Sequence, residues 1–154
     1  MATVRVQRDD FDPGAEAEAL GLGRTDVGAV ASFVGYCRDE GGRLAALELE
    51  HYPGMAEEEI ARVANEAESR WPLLGVTAIH RTGRIAPGEQ IVLVAVAAAH
   101  RSEAFVAAEM LMDYLKTRAP FWKRAVRADG VVEGWVEAKV EDDASAARWG
   151  AAER

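Results

Sequence analysis

Cysteine occurs once in these 154 residues, at Cys37, and lysine three times against fifteen arginines. A single cysteine excludes an internal disulfide and any zinc cluster built on cysteine. His51 and His80 stand at no metal-ligand spacing from another histidine or from Cys37, so both read as structural and no metal site is expected. No apolar run approaches the ~18–20 residues of a membrane span. The opening MATVRVQRDDFDPG turns acidic by residue 9 and has no apolar signal core, which makes the cytoplasm the expected location. The sequence has no Walker loop, GxGxxG, HExxH or GxSxG, so the chemistries those motifs support are not indicated. Internal repeats, low-complexity tracts and long linkers are also missing from it.

With 49% hydrophobic and 29% charged residues, the composition is that of an ordinary globular protein, and the length suits a single domain over 1–154. Residues 3–6 alternate as a short strand, and 15–20 form one or two helical turns ended by Gly21 and Gly23. The run 28–36, GAVASFVGY, is small and apolar enough for a buried strand. Gly41-Gly42 reads as a turn. Residues 44–52 alternate as a half-buried strand. Helical spacing of Ile60, Val63, Ala64 and Ala67 predicts a helix over 55–71, with acids at 57–59 near its positive end and Pro72 as its stop. Runs 76–85 and 90–99 read as two strands of a hairpin through Ala86-Pro87-Gly88-Glu89. A second helix is predicted over 102–118, with Phe105, Ala108, Met112 and Leu115 on one face and Pro120 forbidding continuation. Residues 121–126 and 134–138 read as short closing strands, and 141–154 as a mobile, charged tail. The mixed order predicts an α+β fold.

The net charge is −8, yet 100–127 holds six Lys and Arg against three acids. A basic island on an acidic chain points to a local anion site more than to nucleic acid, which needs a broad basic face. Two of the three lysines, Lys116 and Lys123, fall inside YLKTRAPFWKRAVR. Each has an ordinary structural reading: Lys116 as a cation favoured at a helix C-terminus, Lys123 with its stem along aromatic surface. Together they can flank one pocket, because the break at Ala119-Pro120 joins a helix end to a strand start. Lysine, unlike arginine, is a compact donor able to shift its pKa and release a proton. His100-Arg101 closes an apolar strand and opens a helix, a plausible anion seat, and Arg38 follows the end of the 28–36 strand. Cys37 beside Arg38 can be read as an activated nucleophile or, more commonly, as a small buried hydrophobe.

These residues carry a resemblance. LELEHYPGM (47–55), RWPL (70–73), IHRTGRIAPGE (79–89), AHRSEAF (99–105) and MDYLKTRAPFWKR (112–124) resemble the large, catalytic subunit of molybdopterin synthase over about 28–137, in order. The resemblance implies an α/β hammerhead fold with an additional antiparallel β subdomain. It implies conversion of cyclic pyranopterin monophosphate to molybdopterin by installing a dithiolene. The sulfur would come from the thiocarboxylate on the Gly-Gly C-terminus of a small ubiquitin-like partner. The large subunit would form a homodimer, the core of a heterotetramer.

Carried over, the active-site lysines fall on Lys116 and Lys123. The substrate-anchoring residues fall on Arg38, His100, Arg101 and Arg124, with Tyr36 and Cys37 leading to Arg38 and Ala125 following Arg124. The His-Arg pair is expected to serve the neighbouring subunit's pocket. Because the partner brings the sulfur, Cys37 loses its claim as nucleophile, and no resident cofactor is implied. The C-terminus GAAER lacks a Gly-Gly tail, so a separate partner polypeptide is expected. The rival readings are a non-catalytic scaffold for a ubiquitin-like protein and a sensor of a phosphate-bearing ligand.

Overall fold

The computed structural model describes residues 2–118, 120–136, 147, 149 and 150. Along them run β1 (Ala2–Gln7), α1 (Pro13–Gly21), β2 (Ala29–Tyr36), β3 (Leu44–His51), α2 (Met55–Arg70), β4 (Leu73–Arg81), β5 (Gly83–Ile85), β6 (Gln90–Ala98), α3 (Arg101–Arg118) and β7 (Phe121–Arg127). The large sheet has the order β1-β4-β6-β2 and the small sheet β5-β3-β7. β1 pairs with β4 in parallel, and every other strand pair is antiparallel. This is the expected α+β class, with an added antiparallel sheet.

β6 sits inside the large sheet, and Val92 to Ala98 are all buried. Strands covered on both faces read as unbroken apolar runs, which is why VLVAVAA lacks alternation. On one face α1 brings Leu20 over Phe11, Ile79, Leu93 and Ala95. On the other, α2 and α3 pack Ile60, Val63, Ala107, Leu111 and Tyr114 against Val76, Val94 and Val96. α2 starts with Glu57 accepting from the Gly54 amide at 3.1 Å, the return half of a capping box.

Three expectations need correction. The predicted strand 76–85 is two strands: β4 ends at Arg81, and after Gly83 (φ 86°) β5 pairs in the other sheet. The stretch HRTGRI (80–85) breaks the apolar run, but nothing in it says that the chain continues into a different sheet. The inward face of α3 is Ala104, Ala107, Ala108, Met110, Leu111, Tyr114 and Leu115, while Phe105 is 65% exposed. In the first turns that face is alanine, so the bulky Phe105 at its border misleads. Within 134–136 there is no continuous strand, since Val132 and Val136 make only isolated bridges to Val126 and Lys123. Residues 137–138 lie outside the described residues.

So does most of the tail 141–154. Of its described residues, Trp149 is nearly buried and meets Trp71 edge-on at 6.0 Å. Its indole donates to Asp113 Oδ2 at 2.5 Å, and its carbonyl accepts from Arg70 Nη1 at 2.8 Å.

A Cβ at Gly28 would lie 2.0 Å from the Ala99 carbonyl oxygen, backbone against backbone. Gly28→Ala is therefore expected to cost ~1–3 kcal/mol in urea unfolding. Gly14→Ala, whose Cβ would meet Asp12 Oδ1 at an ordinary 3.5 Å, should stay within ~0.5 kcal/mol. Equal stabilities for the two variants would contradict the close approach at Gly28.

Candidate active site

The chain passes from the large sheet to the small one at a single end of the molecule: after β2, after β4 and after α3. Buried Cys37, Leu44, Leu49 and Ile85, with Leu47, Ile91 and Ala125 against them, fill this junction. The candidate cations lie around it.

Lys116 is exposed in the last turn of α3, where the helix dipole favours a cation. Lys123 is the third residue of β7, opposite Leu49 of β3. Directly opposed residues in an antiparallel pair share a face, so Lys123 stands on the junction side, with Ala125 two residues on. Between the two lysines Phe121 lies flat against His80 of β4, ring centres 3.9 Å apart at 17°, and tilted against His51 of β3 at 6.0 Å. His80 Nδ1 is 2.8 Å from the Arg81 carbonyl. A carbonyl only accepts, so Nδ1 carries the proton. Burial, then the nearby positive Lys116 and His51, push the His80 pKa down to about 4 against the bond to Arg81. The ring is neutral where the chain works.

Arg38 is exposed just beyond β2, at this same end. The residue before it anchors the loop: the Cys37 amide donates to Glu89 O at 2.8 Å, and the Cys37 carbonyl accepts from Gly88 at 2.7 Å. The Cys37 side chain is 1% exposed, and burial pushes its thiol pKa up, the opposite of an activated nucleophile. Tyr36 is 58% exposed beside it. Arg124 lies on the other face of β7 from Lys123, donating to Glu48 at 2.5 Å and stacking over Trp135 at 4.4 Å. Ala125 packs on the junction core, and its carbonyl accepts from the Glu133 amide.

His100 and Arg101 lie elsewhere. They follow β6 at the start of α3, beside the β2 end that holds Ala29, whereas Arg38 follows the β2 end paired to Gln90. Nine strand residues at ~3.3 Å each separate these ends by about 26 Å. Within one chain the structure gathers Lys116, Lys123 and Arg38 at the junction and leaves the His-Arg pair at the opposite end of the sheet.

Glu48, Trp135 and the His80–Phe121 contact were not foreseen. Glu48 is one of two acids on an alternating strand, and only the β3–β7 register pairs it with Arg124. Among the described residues no three His, Cys, Asp or Glu side chains gather as a metal set, and no helix is long and apolar enough to cross a membrane.

Cationic side chains thus stand around the sheet junction of a two-sheet α+β fold. A family model described as MoaE protein matches residues 6–118, and the chain belongs to the MoaE family. It is 66% identical over 147 residues to the molybdopterin synthase catalytic subunit of Mesorhizobium japonicum, covering 96% of this chain and 92% of that one. Its structure is similar to the molybdopterin biosynthesis MoaE protein from Burkholderia ambifaria, with TM-score 0.84, 52% identity, and 97% and 99% of the two chains covered. A chain from the complex of subunits 1 and 2 of molybdopterin-converting factor from Helicobacter pylori shares the fold, with TM-score 0.69, 19% identity, and 90% of each chain covered.

The His80 value carries a sign. A native pKa of about 4 lies below the unfolded value near 6.5, so the unfolded chain binds the extra proton between them. Stability should be full above pH ~6.5 and fall by up to ~3 kcal/mol as the pH drops towards 4. Urea unfolding of His80→Phe over the same range should lack this component. Parallel curves for the two proteins would refute the assignment.

Proposed function

We propose that this chain is the catalytic subunit of a cytoplasmic molybdopterin synthase, transferring sulfur from a small ubiquitin-like partner's C-terminal thiocarboxylate to cyclic pyranopterin monophosphate. The observation that carries the reading is the meeting of Lys116, Lys123 and Arg38 at one sheet junction of a chain with only three lysines. Its relatives are named for this activity, which supports the same assignment. Arg38 supplies a fork-shaped donor for phosphate. Opening the cyclic phosphate and expelling side-chain oxygen need proton transfer and stabilisation of growing negative charge. The lysine ammonium groups can do both, Lys116 nearest the chemistry and Lys123 holding substrate and the partner's tail. Arg124, paired to Glu48, shapes the wall behind them.

The distant His-Arg pair belongs in this reading to a second copy. β2 is an edge strand with Val30, Phe33 and Tyr36 exposed, and Phe105 stands bare on α3. A two-fold axis at such an edge sets two copies of β2 antiparallel. Each Arg38 then faces the partner's β2 start, the end from which His100 and Arg101 project.

Lys116→Ala is expected to abolish product formation with thiocarboxylated partner while leaving thermal stability and partner binding within about twofold of wild type. Wild-type turnover in that variant would end the proposal; binding of precursor and partner without product in the parent protein would favour the scaffold reading. Arg38→Ala and Arg101→Ala should each be inactive alone. Mixed after unfolding and refolding, they should recover about a quarter of wild-type activity, because half the dimers are mixed and each holds one intact site. No recovery would place both residues in the same chain's site.

A further inference from the structure

Lys116 and Lys123 belong to different layers. α3 packs on the large sheet, whereas β7 pairs with β3 of the small sheet and with the bridges from Val132 and Val136. No described backbone pairing joins β7 to the large sheet. At its start a side chain makes the link: Phe121, first residue of β7, packs against the large-sheet core and lies flat on His80. It also meets His51, its own cross-strand partner, tilted at 39° with ring centres 6.0 Å apart. One phenyl ring thus contacts a ring from each sheet.

We propose that the His51–Phe121–His80 stack is a positioning device for the two lysines, pinning the start of β7 to both sheets and so setting where Lys123 stands relative to Lys116. The role in catalysis rests on the sulfur-transfer reading above; the role in geometry does not. His80 suits the task because its ring cannot swing: Nδ1 is tied to the Arg81 carbonyl. Arg81 is itself buried and donates to the carbonyls of Arg8 at 3.0 Å and Gln90 at 2.9 Å. The carbonyl that orients His80 therefore belongs to a segment fixed from two further directions. A neutral flat ring also fills the space near Lys116 without setting a second cation against it, which a lysine or arginine there would do. His80 and Phe121 touch no reacting group in this scheme and act through the lysines alone.

With three lysines in the chain, reductive methylation with carbon-13 formaldehyde yields three side-chain signals, assignable by single Lys→Arg variants. In His80→Ala the Lys116 and Lys123 signals should move, and in His80→Phe, which keeps a flat ring, both should return towards wild type. His80→Leu, filling the volume without a flat ring, stands in if the alanine variant fails to fold. Turnover should follow: kcat down about tenfold in His80→Ala with KM within about twofold, and most of the loss restored in His80→Phe, since small misplacements of catalytic groups cost this much. Unmoved lysine signals in His80→Ala, or equal displacement in the Phe variant, overturn the positioning role. Moved signals with unchanged kcat overturn its part in catalysis. Should the parent protein make no product at all, the sulfur-transfer reading falls, while the lysine signals still decide the geometry.

Discussion

One backbone turn underlies the junction. At Gly83 the chain takes φ 86°, a conformation that favours glycine, and leaves the large sheet for the small one. A Cβ there would also meet Arg8 Nη1 at 2.7 Å. Because β4 runs straight into β5, one apolar segment sends Ile79 into the α1 side of the large sheet and Ile85 into the junction core. The crossings after β2 and α3 must arrive at the same end, where Cys37 and Leu49 close around Ile85. The cations stay at the rim of this core because a charge taken inside would lose its hydration without recompense.

How much of this was legible depends on whether period or register carries the information. α2 and β3 declare themselves through spacing, and their observed bounds differ from expectation by a residue. β6 was readable as an apolar run. The switch from β4 to β5 was not: HRTGRI (80–85) interrupts the apolar run, yet such a break does not say that the chain enters another sheet. Register is opaque to one chain read alone: nothing local to Glu48 selects Arg124, and nothing local to His80 selects Phe121. The motifs grouped Lys116 with Lys123 and set His100-Arg101 apart for a neighbouring subunit, but the strand's length between that pair and Arg38 emerges only from the β2–β6 register. The face of α3 was misread in its first turns because helical spacing looks for bulk, and there Ala104, Ala107 and Ala108 fill the contact while Phe105 is exposed.

The scarcity of lysine also acquires a physical sense. Ion pairs such as Arg5–Glu16, Arg24–Asp26, Arg70–Glu66 and Arg124–Glu48 use guanidinium, whose planar fork meets a carboxylate with two donors. Arginine suits fixed pairing; an ammonium suits a place where charge must follow the course of a reaction.

The parallel pairing of β1 with β4 has a consequence for synthesis. β1 ends at Gln7, and its partner begins only at Leu73. At about 5–20 residues per second on the ribosome, the first strand waits several seconds with its edges unpaired. β2 waits a similar time, from Tyr36 until its neighbour β6 begins at Gln90. The large sheet is therefore completed late, with β1 and β4 free to pair first, and until β6 emerges β2 and the open side of β4 stay exposed.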